Sequence, residues 1–173
     1  MASSPVHKTQ IVPFVNTSTT EGTYEWVQIK KSTTFSLALN PQTKTYDFIS
    51  SKVAQTEVDS YQPALDQEIT MFKGEEDYEL FFDMVYNLPT GSDAHRDFLL
   101  AWYQQEGTDS SAATCYKAWL VDSTVQVNTL DSVNSSISVS LSLTEPTIGA
   151  VYVTDGVPSF TEGTWSDDVF TAA

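Results

Sequence analysis

The pattern of apolar and polar positions alternates with period two through most of this chain. YEWVQIK sets Tyr24, Trp26 and Gln28 against Glu25, Val27 and Ile29. TFSLALN sets Phe35, Leu37 and Leu39 against Ser36, Ala38 and Asn40, and Pro41 ends the run. Such alternation predicts strands with two different faces, and a proline stops a strand interior. QEITMFKG continues the signal, with Ile69 and Met71 on one face and Thr70 and Phe72 on the other. HRDFLLAWYQQE is apolar on both faces, which predicts a central strand covered on two sides. CYKAWLVDS and TVQVNTL follow, then ISVSLSLT, whose Ile137, Val139, Leu141 and Leu143 alternate with Ser138, Ser140, Ser142 and Thr144. TEPTIG reads as a turn and GAVYVT as the last strand.

One stretch has a helical period instead. In GEEDYELFFDMVYNLPTG, about residues 75–88, the residues Tyr78, Phe81, Phe82, Val85 and Leu88 recur at spacings of three and four. Acids crowd its first turn, where the helix dipole favours negative charge, and Pro89 and Gly91 end it. The core face expected is Tyr78, Phe81, Phe82 and Val85, packed on the sheet.

Three segments resist both patterns. Residues 1–22 are Ser/Thr-rich and read as an N-terminal arm, and residues from about 160 to 173 read as a C-terminal tail. Residues 41–66 hold one short strand signal, KTYDFIS, and otherwise lack periodicity. A loop of that length is uncommon in a compact domain unless it has a function. Tyr46, Phe48, Val53, Val58, Tyr61, Pro63 and Leu65 make it too apolar for a solvated linker, so it reads as an extended hairpin arm that packs on something. The expected fold is mainly β: a single domain over 1–173, a β-sandwich or partly open barrel carrying one helix.

Composition sharpens this picture. The 173 residues hold 8 Lys+Arg against 23 Asp+Glu, a formal net charge of −15, with a single arginine. A chain this acidic repels nucleic acid and anionic membrane. Cys115 is the only cysteine, so it forms no intrachain disulfide and reads as a small buried apolar group. MASSPVHKTQ has no apolar core of a secretory signal, and no run nears the roughly 18 apolar residues of a membrane span. The expectation is a protein made and kept in a cytoplasm, with no membrane insertion.

Chemistry is hard to find. There is no G-x-S-x-G, H-E-x-x-H, C-x-x-C or glycine-rich phosphate loop, and neither His7 nor His95 stands in a catalytic motif. Glu75, Glu76, Asp77 and Glu79 lack the spacing of a calcium loop. No catalytic, cofactor or metal residues are assigned, and the protein is not expected to be an enzyme. Shape remains: one surface meeting another copy of itself.

The order of local words is similar to that of the major tail tube proteins of long-tailed, non-contractile bacteriophages. An opening hairpin leads to KTYDFISSKVAQTEVDSYQPALDQ, with Tyr46, Thr56, Tyr61 and Pro63. QEITMF leads into the acidic start of a helix at Gly74–Leu88. ISVSLSLTEPTIGAVYV then gives the serine-alternating strand, Glu145-Pro146 and Gly149 before the last strand. The resemblance spans about residues 20–160, with Thr108–Asn134 matching loosely. It implies hexameric rings stacked into a hollow tube in the virion tail, assembled in the host bacterial cytoplasm. The implied partners are the tape measure, tail tip and tail terminator proteins, and DNA would pass through an acidic conduit without sticking. The long loop would reach a neighbouring subunit, and Ser138, Ser140 and Ser142 would be a lumen-lining face. The alternatives are the inner tube of a contractile tail or injection machine, a monomeric β-sandwich adhesion or carbohydrate-binding module, and a β-rich hydrolase. The binding module would need a platform built from some of Trp26, Trp102, Trp119 and Trp165. The hydrolase would need an acid pair in a cleft.

Overall fold

The N-terminal segment is not an arm. In the structure, a computed structural model that describes residues 5–173, a 3-10 turn at Lys8–Gln10 leads into β1 (Ile11–Asn16), which is buried. IVPFV is a short apolar run, and its proline hides the strand signal. Pro13 offers its carbonyl to the Ile29 N–H at 3.0 Å, and the pairing of β1 with β2 (Trp26–Gln28) runs only from Phe14 onward. The donor that proline lacks therefore falls at the end of a ladder, where its loss costs little.

The C-terminal tail is not a tail either. β10 (Thr147–Thr154), expected to be last, is followed by β11 (Val157–Ser166) and β12 (Val169–Ala172). Asp155 and Gly156 both have positive φ and join β10 to β11 in a two-residue hairpin. Asp167, also at positive φ, turns β11 into β12, so Asp167-Asp168 is a hairpin turn between Trp165 and Phe170. Phe170 is fully buried, and the Trp165 ring lies 5.2 Å from it.

Two long strands organise the rest. β7 (His95–Asp109) and β8 (Thr114–Asp131) pair antiparallel, so the two segments CYKAWLVDS and TVQVNTL are one strand. Beyond β7 and β8 the sheet grows in two ways. β7, β12, β11, β10 and β8 pair in a closed circuit around Cys115, Ala150 and Phe170. On the outer flanks, β1 and β2 extend from β7. β9 (Ser136–Leu143), β6 (Ala64–Thr70) and β3 (Ser32–Ala38) extend from β8. β2 and β3 are the free edges of this ten-stranded sheet. The expected mainly-β, partly open barrel with one packed helix is what the chain forms.

The helix α1 (Glu76–Asn87) packs over the main core of Val15, Leu65, Ile69, Phe98, Leu100, Ile137 and Leu141. Its buried residues are Asp77, Phe81 and Met84, with Tyr78 and Val85 partly buried. Phe82, assigned to the core face, is 38% exposed. The face is rotated because Asp77 takes a buried position: its Oδ2 accepts the N–H groups of Lys30 (2.9 Å) and Lys31 (3.2 Å). That polar demand is invisible to an apolar period.

Candidate assembly surfaces

Between β3 and β6 the chain leaves the sheet as a separate hairpin, β4 (Pro41–Tyr46) and β5 (Gln55–Tyr61). Its base is pinned where Asn40, at φ 43°, exchanges hydrogen bonds with Gln62. Along it, Lys44 meets Asp59 at 2.7 Å and the Thr45 and Thr56 hydroxyls meet at 3.1 Å. Among the described residues nothing covers it. Ile49 is fully exposed and Val53 is 74% exposed, while Tyr46, Phe48, Val58 and Tyr61 are exposed to lesser degrees. The Tyr46 and Phe48 rings stack at 5.6 Å. A two-stranded hairpin alone in water is marginal, and this one carries its apolar side chains outward.

Two residues assigned to the arm belong elsewhere. Leu65 is fully buried in the main core, and Pro63 is buried at the start of β6. The Pro63 carbonyl accepts the Leu143 N–H at 3.0 Å. ALDQEIT alternates with period two once Ala64 is taken as its start, so the sheet begins three residues before the Gln67 at which QEITMF does.

The serine strand β9 lies between β6 and β8. Ser138 is aligned with Glu68, Ser140 with Asp66 and Gln126, and Ser142 with Ala64 and Thr124. Thr34 and Ser36 of β3 continue the face beside Glu68 and Asp66. Asn128 Nδ2 donates to Ser140 Oγ at 2.8 Å, and that hydroxyl donates to Asp66 Oδ1 at 2.8 Å. The face therefore carries two carboxylates, several small hydroxyls and no cation at these positions. Ser138 and Ser140 are half-buried and Ser142 is exposed.

Three of the four tryptophans converge. Trp102, Trp119 and Trp165 line a pocket of about 350 Å³ with Ile148 and Lys117. Trp102 and Trp119 meet edge-to-face at 4.9 Å, and the Lys117 ammonium sits 5.4 Å from the Trp165 ring centre. Trp26 stacks instead on Tyr24 at 5.2 Å, away from this pocket.

Sequence pattern selected no carboxylate pair, but the fold puts Asp97 opposite Asp122 on β7 and β8, lining a cleft of about 1190 Å³. Burial pushes the Asp97 carboxyl up, a hydrogen bond from Asn16 opposes it, and the charge of Asp122 adds to the rise. Asp122 Oδ2 holds His95 Nδ1 at 2.9 Å, and the Asp122 carbonyl accepts the N–H and hydroxyl of Thr144. These contacts tie β7, β8 and the end of β9 together. Asn16 Oδ1 accepts the N–H groups of Ser18 (3.1 Å) and Glu25 (2.8 Å), closing the loop over the cleft. Among the described residues, no set of three His, Cys, Asp or Glu converges to hold a metal ion, and no helix is long and apolar enough to cross a membrane.

No protein-family model matches the chain, and no curated protein matches it. Among solved structures it is similar to a chain of an extracellular contractile injection system, the PVC sheath–tube complex in its extended state. The identity is 12% over 85% of this chain and 93% of that one, with a TM-score of 0.48.

Proposed function

We propose that the protein is a structural subunit that polymerises, as hexameric rings stacked into a hollow tail tube. The observation that carries this reading is the hairpin of residues 41–61. It projects from the sheet with Phe48, Ile49, Val53, Val58 and Tyr61 uncovered. Exposed apolar groups of this kind mark a surface that meets a partner. The free edges β2 and β3 support the same reading, since unpaired strand edges invite another chain. The net charge of −15 and the cation-free serine face support passage of DNA without adhesion. In this reading the subunit is non-catalytic and holds no cofactor. It meets tape measure, tip and terminator proteins in a virion tail of the non-contractile kind.

The test is negative-stain electron microscopy of the purified, concentrated protein, alone and seeded with tail-tip complexes. Rings or hollow tubes are expected. Replacing residues 42–60 by a short Gly-Ser turn should leave only monomers, because that cut spares Pro63 and Leu65. Failure to build tubes even when seeded would overturn the reading.

One observation favours a second reading. The pocket of Trp102, Trp119 and Trp165 would suit a monomeric binding module that stacks a sugar ring. Quenching of tryptophan fluorescence by soluble oligosaccharides, in a protein that stays monomeric at high concentration, would favour that module over the tube.

A further inference from the structure

Gln67 is 2% exposed, and among the described residues neither its Oε1 nor its Nε2 has a hydrogen-bond partner. It stands on β6 between Phe35 of β3 and Val139 of β9, and it lines a cleft of about 680 Å³. A buried carboxamide left without partners costs free energy. This one therefore calls for an occupant with both a donor and an acceptor, and a peptide group of an extended main chain supplies one of each.

The walls of the cleft say the same. Gln28 comes from β2 and Ser32, Thr33 and Phe35 come from β3, so both free edges of the ten-stranded sheet border it. Lys8 and Lys30 also line it, and among the described residues neither forms an ion pair. In a chain with 23 acids and 8 bases, two unpaired lysines at one cleft favour an acidic guest.

We propose that this cleft receives the β4–β5 hairpin of a second copy, laid along the β3 edge so that Gln67 reads one of its main-chain peptide groups. The proposal rests on the self-assembly reading and names the receptor for the hairpin. The hairpin is extended and its outer edges are unpaired among the described residues. It carries Asp47, Glu57 and Asp59 against Lys44 and Lys52. With Lys44 paired to Asp59, its local acids for the cleft lysines are Asp47 and Glu57, neither in an ion pair among the described residues. Its residues 41–61 are all exposed except Ser51. That is close to the roughly 20–30 residues a side of a stable interface. In this conformation the hairpin does not occupy its own cleft, since none of the residues lining it comes from 41–61. Donor hairpin and acceptor cleft lie at different places on one surface. Copies joined head to tail that way form rings or filaments, whereas reciprocal exchange of the two hairpins would close a two-fold dimer.

The substitution Gln67→Met tests this with two readouts of opposite sign. It removes the partnerless amide, so the melting temperature of the monomer should rise. It also removes the group that reads the guest, so self-association should weaken by about tenfold. A stabilised monomer with unchanged or tighter association would overturn the proposal, because solvent alone would then satisfy Gln67. Where Gln67→Met fails to fold, a cross-link gives the answer. In a Cys115→Ala background, Phe35→Cys and Glu57→Cys proteins are mixed and oxidised. A disulfide-linked heterodimer is expected. Assembly without that cross-link removes this cleft and leaves the tube reading intact; absence of any association at any concentration removes both.

Discussion

Asp77 Oδ2 accepts two main-chain N–H groups, those of Lys30 at 2.9 Å and Lys31 at 3.2 Å, from the first turn of the helix. One buried carboxylate thus joins α1 to the corner between β2 and β3. Removing it in Asp77→Ala strands both donors. The expected loss is about 2–3 kcal/mol, or roughly 5–10 °C in melting temperature for a chain of this size. Thermal unfolding by circular dichroism measures it. A loss below about 0.5 kcal/mol, the range of an ordinary surface change, would show that the corner is held by something else.

Gly149 is set by close approach of neighbouring strands. A Cβ there would overlap the Thr161 carbonyl and come within 2.6 Å of the Phe160 ring. Gly149→Ala should cost about 1–3 kcal/mol by overpacking. Gly156 meets nothing within 4 Å but sits at φ 82°, so Gly156→Ala should cost about 1 kcal/mol through backbone strain alone. Urea unfolding of the two variants side by side should rank Gly149→Ala as the more damaging. The reverse order would mean that β11 moves away freely.

The period-two runs led directly to β3, β7, β9 and β10, and β9 shows the reason most plainly, with Ile137, Val139, Leu141 and Leu143 buried and Ser142 exposed. The helix was equally plain, but its rotation was not, since Asp77 is buried for the sake of two amides at the corner between β2 and β3. β1 was hidden by Pro13, and β12 by its brevity and by the Asp167-Asp168 pair just before it. A usable signal was present in Asp155-Gly156, a pair suited to positive φ at both positions of a tight hairpin. The apolar excess of the arm was legible, whereas its end was not. Leu65 and Pro63 look like arm residues in sequence, and only the pairing of Leu65 with Leu37 and Leu141 assigns it to the core. The cleft at Gln67 and the tryptophan pocket depend on strands far apart in sequence, so no local pattern could reveal them.

Asp109 gives the stability curve a defined acid limb. Its Oδ1 accepts the Ser111 hydroxyl (2.7 Å) and the N–H groups of Ser111 (2.8 Å) and Ala113 (3.0 Å), while Tyr152 donates to Oδ2 at 3.0 Å. The Ser111 hydroxyl foremost, then the Ala113 amide, hold the carboxyl down to about 2. Its unfolded value is about 3.9. A folded value below the unfolded one means that the ionised form is favoured by folding. That contribution is complete above about pH 4 and is lost as pH falls from there toward 2. Asp109→Asn should flatten the decline in melting temperature across this window and leave the slope near neutrality unchanged. An unaltered acid limb would show that other carboxylates dominate it, Asp131 among them, whose carboxyl is also held low, chiefly by the Asn134 amide.

The hairpin tip separates folding from assembly. Ile49 and Val53 are 110% and 74% exposed, so Ile49→Asp with Val53→Ser removes no contact within the subunit. Monomer stability should stay within about 0.5 kcal/mol of the parent. Sedimentation velocity at high concentration should nevertheless show loss of the large species. A double variant that assembles normally would remove the tip from the interface.

The serine face tests what the proposed tube is for. Ser138 and Ser142 flank Ser140 on a surface whose charged members, Asp66 and Glu68, are both acids. If that face lines the lumen, Ser138→Lys with Ser142→Lys places two cations per subunit on the path of the polyanion. Each phosphate so neutralised releases counterions, and log affinity then falls with log salt by about 0.9 per contact. Tubes of the variant should form as before yet retain duplex DNA at low salt and release it as salt rises, read by co-sedimentation of labelled DNA with pelleted tubes. Parent tubes should leave the DNA in the supernatant at every salt concentration. Variant tubes that also leave it there would put the serine face elsewhere, and the lack of cations on it would then reflect the overall acidity of the chain and not a lining selected to let DNA pass.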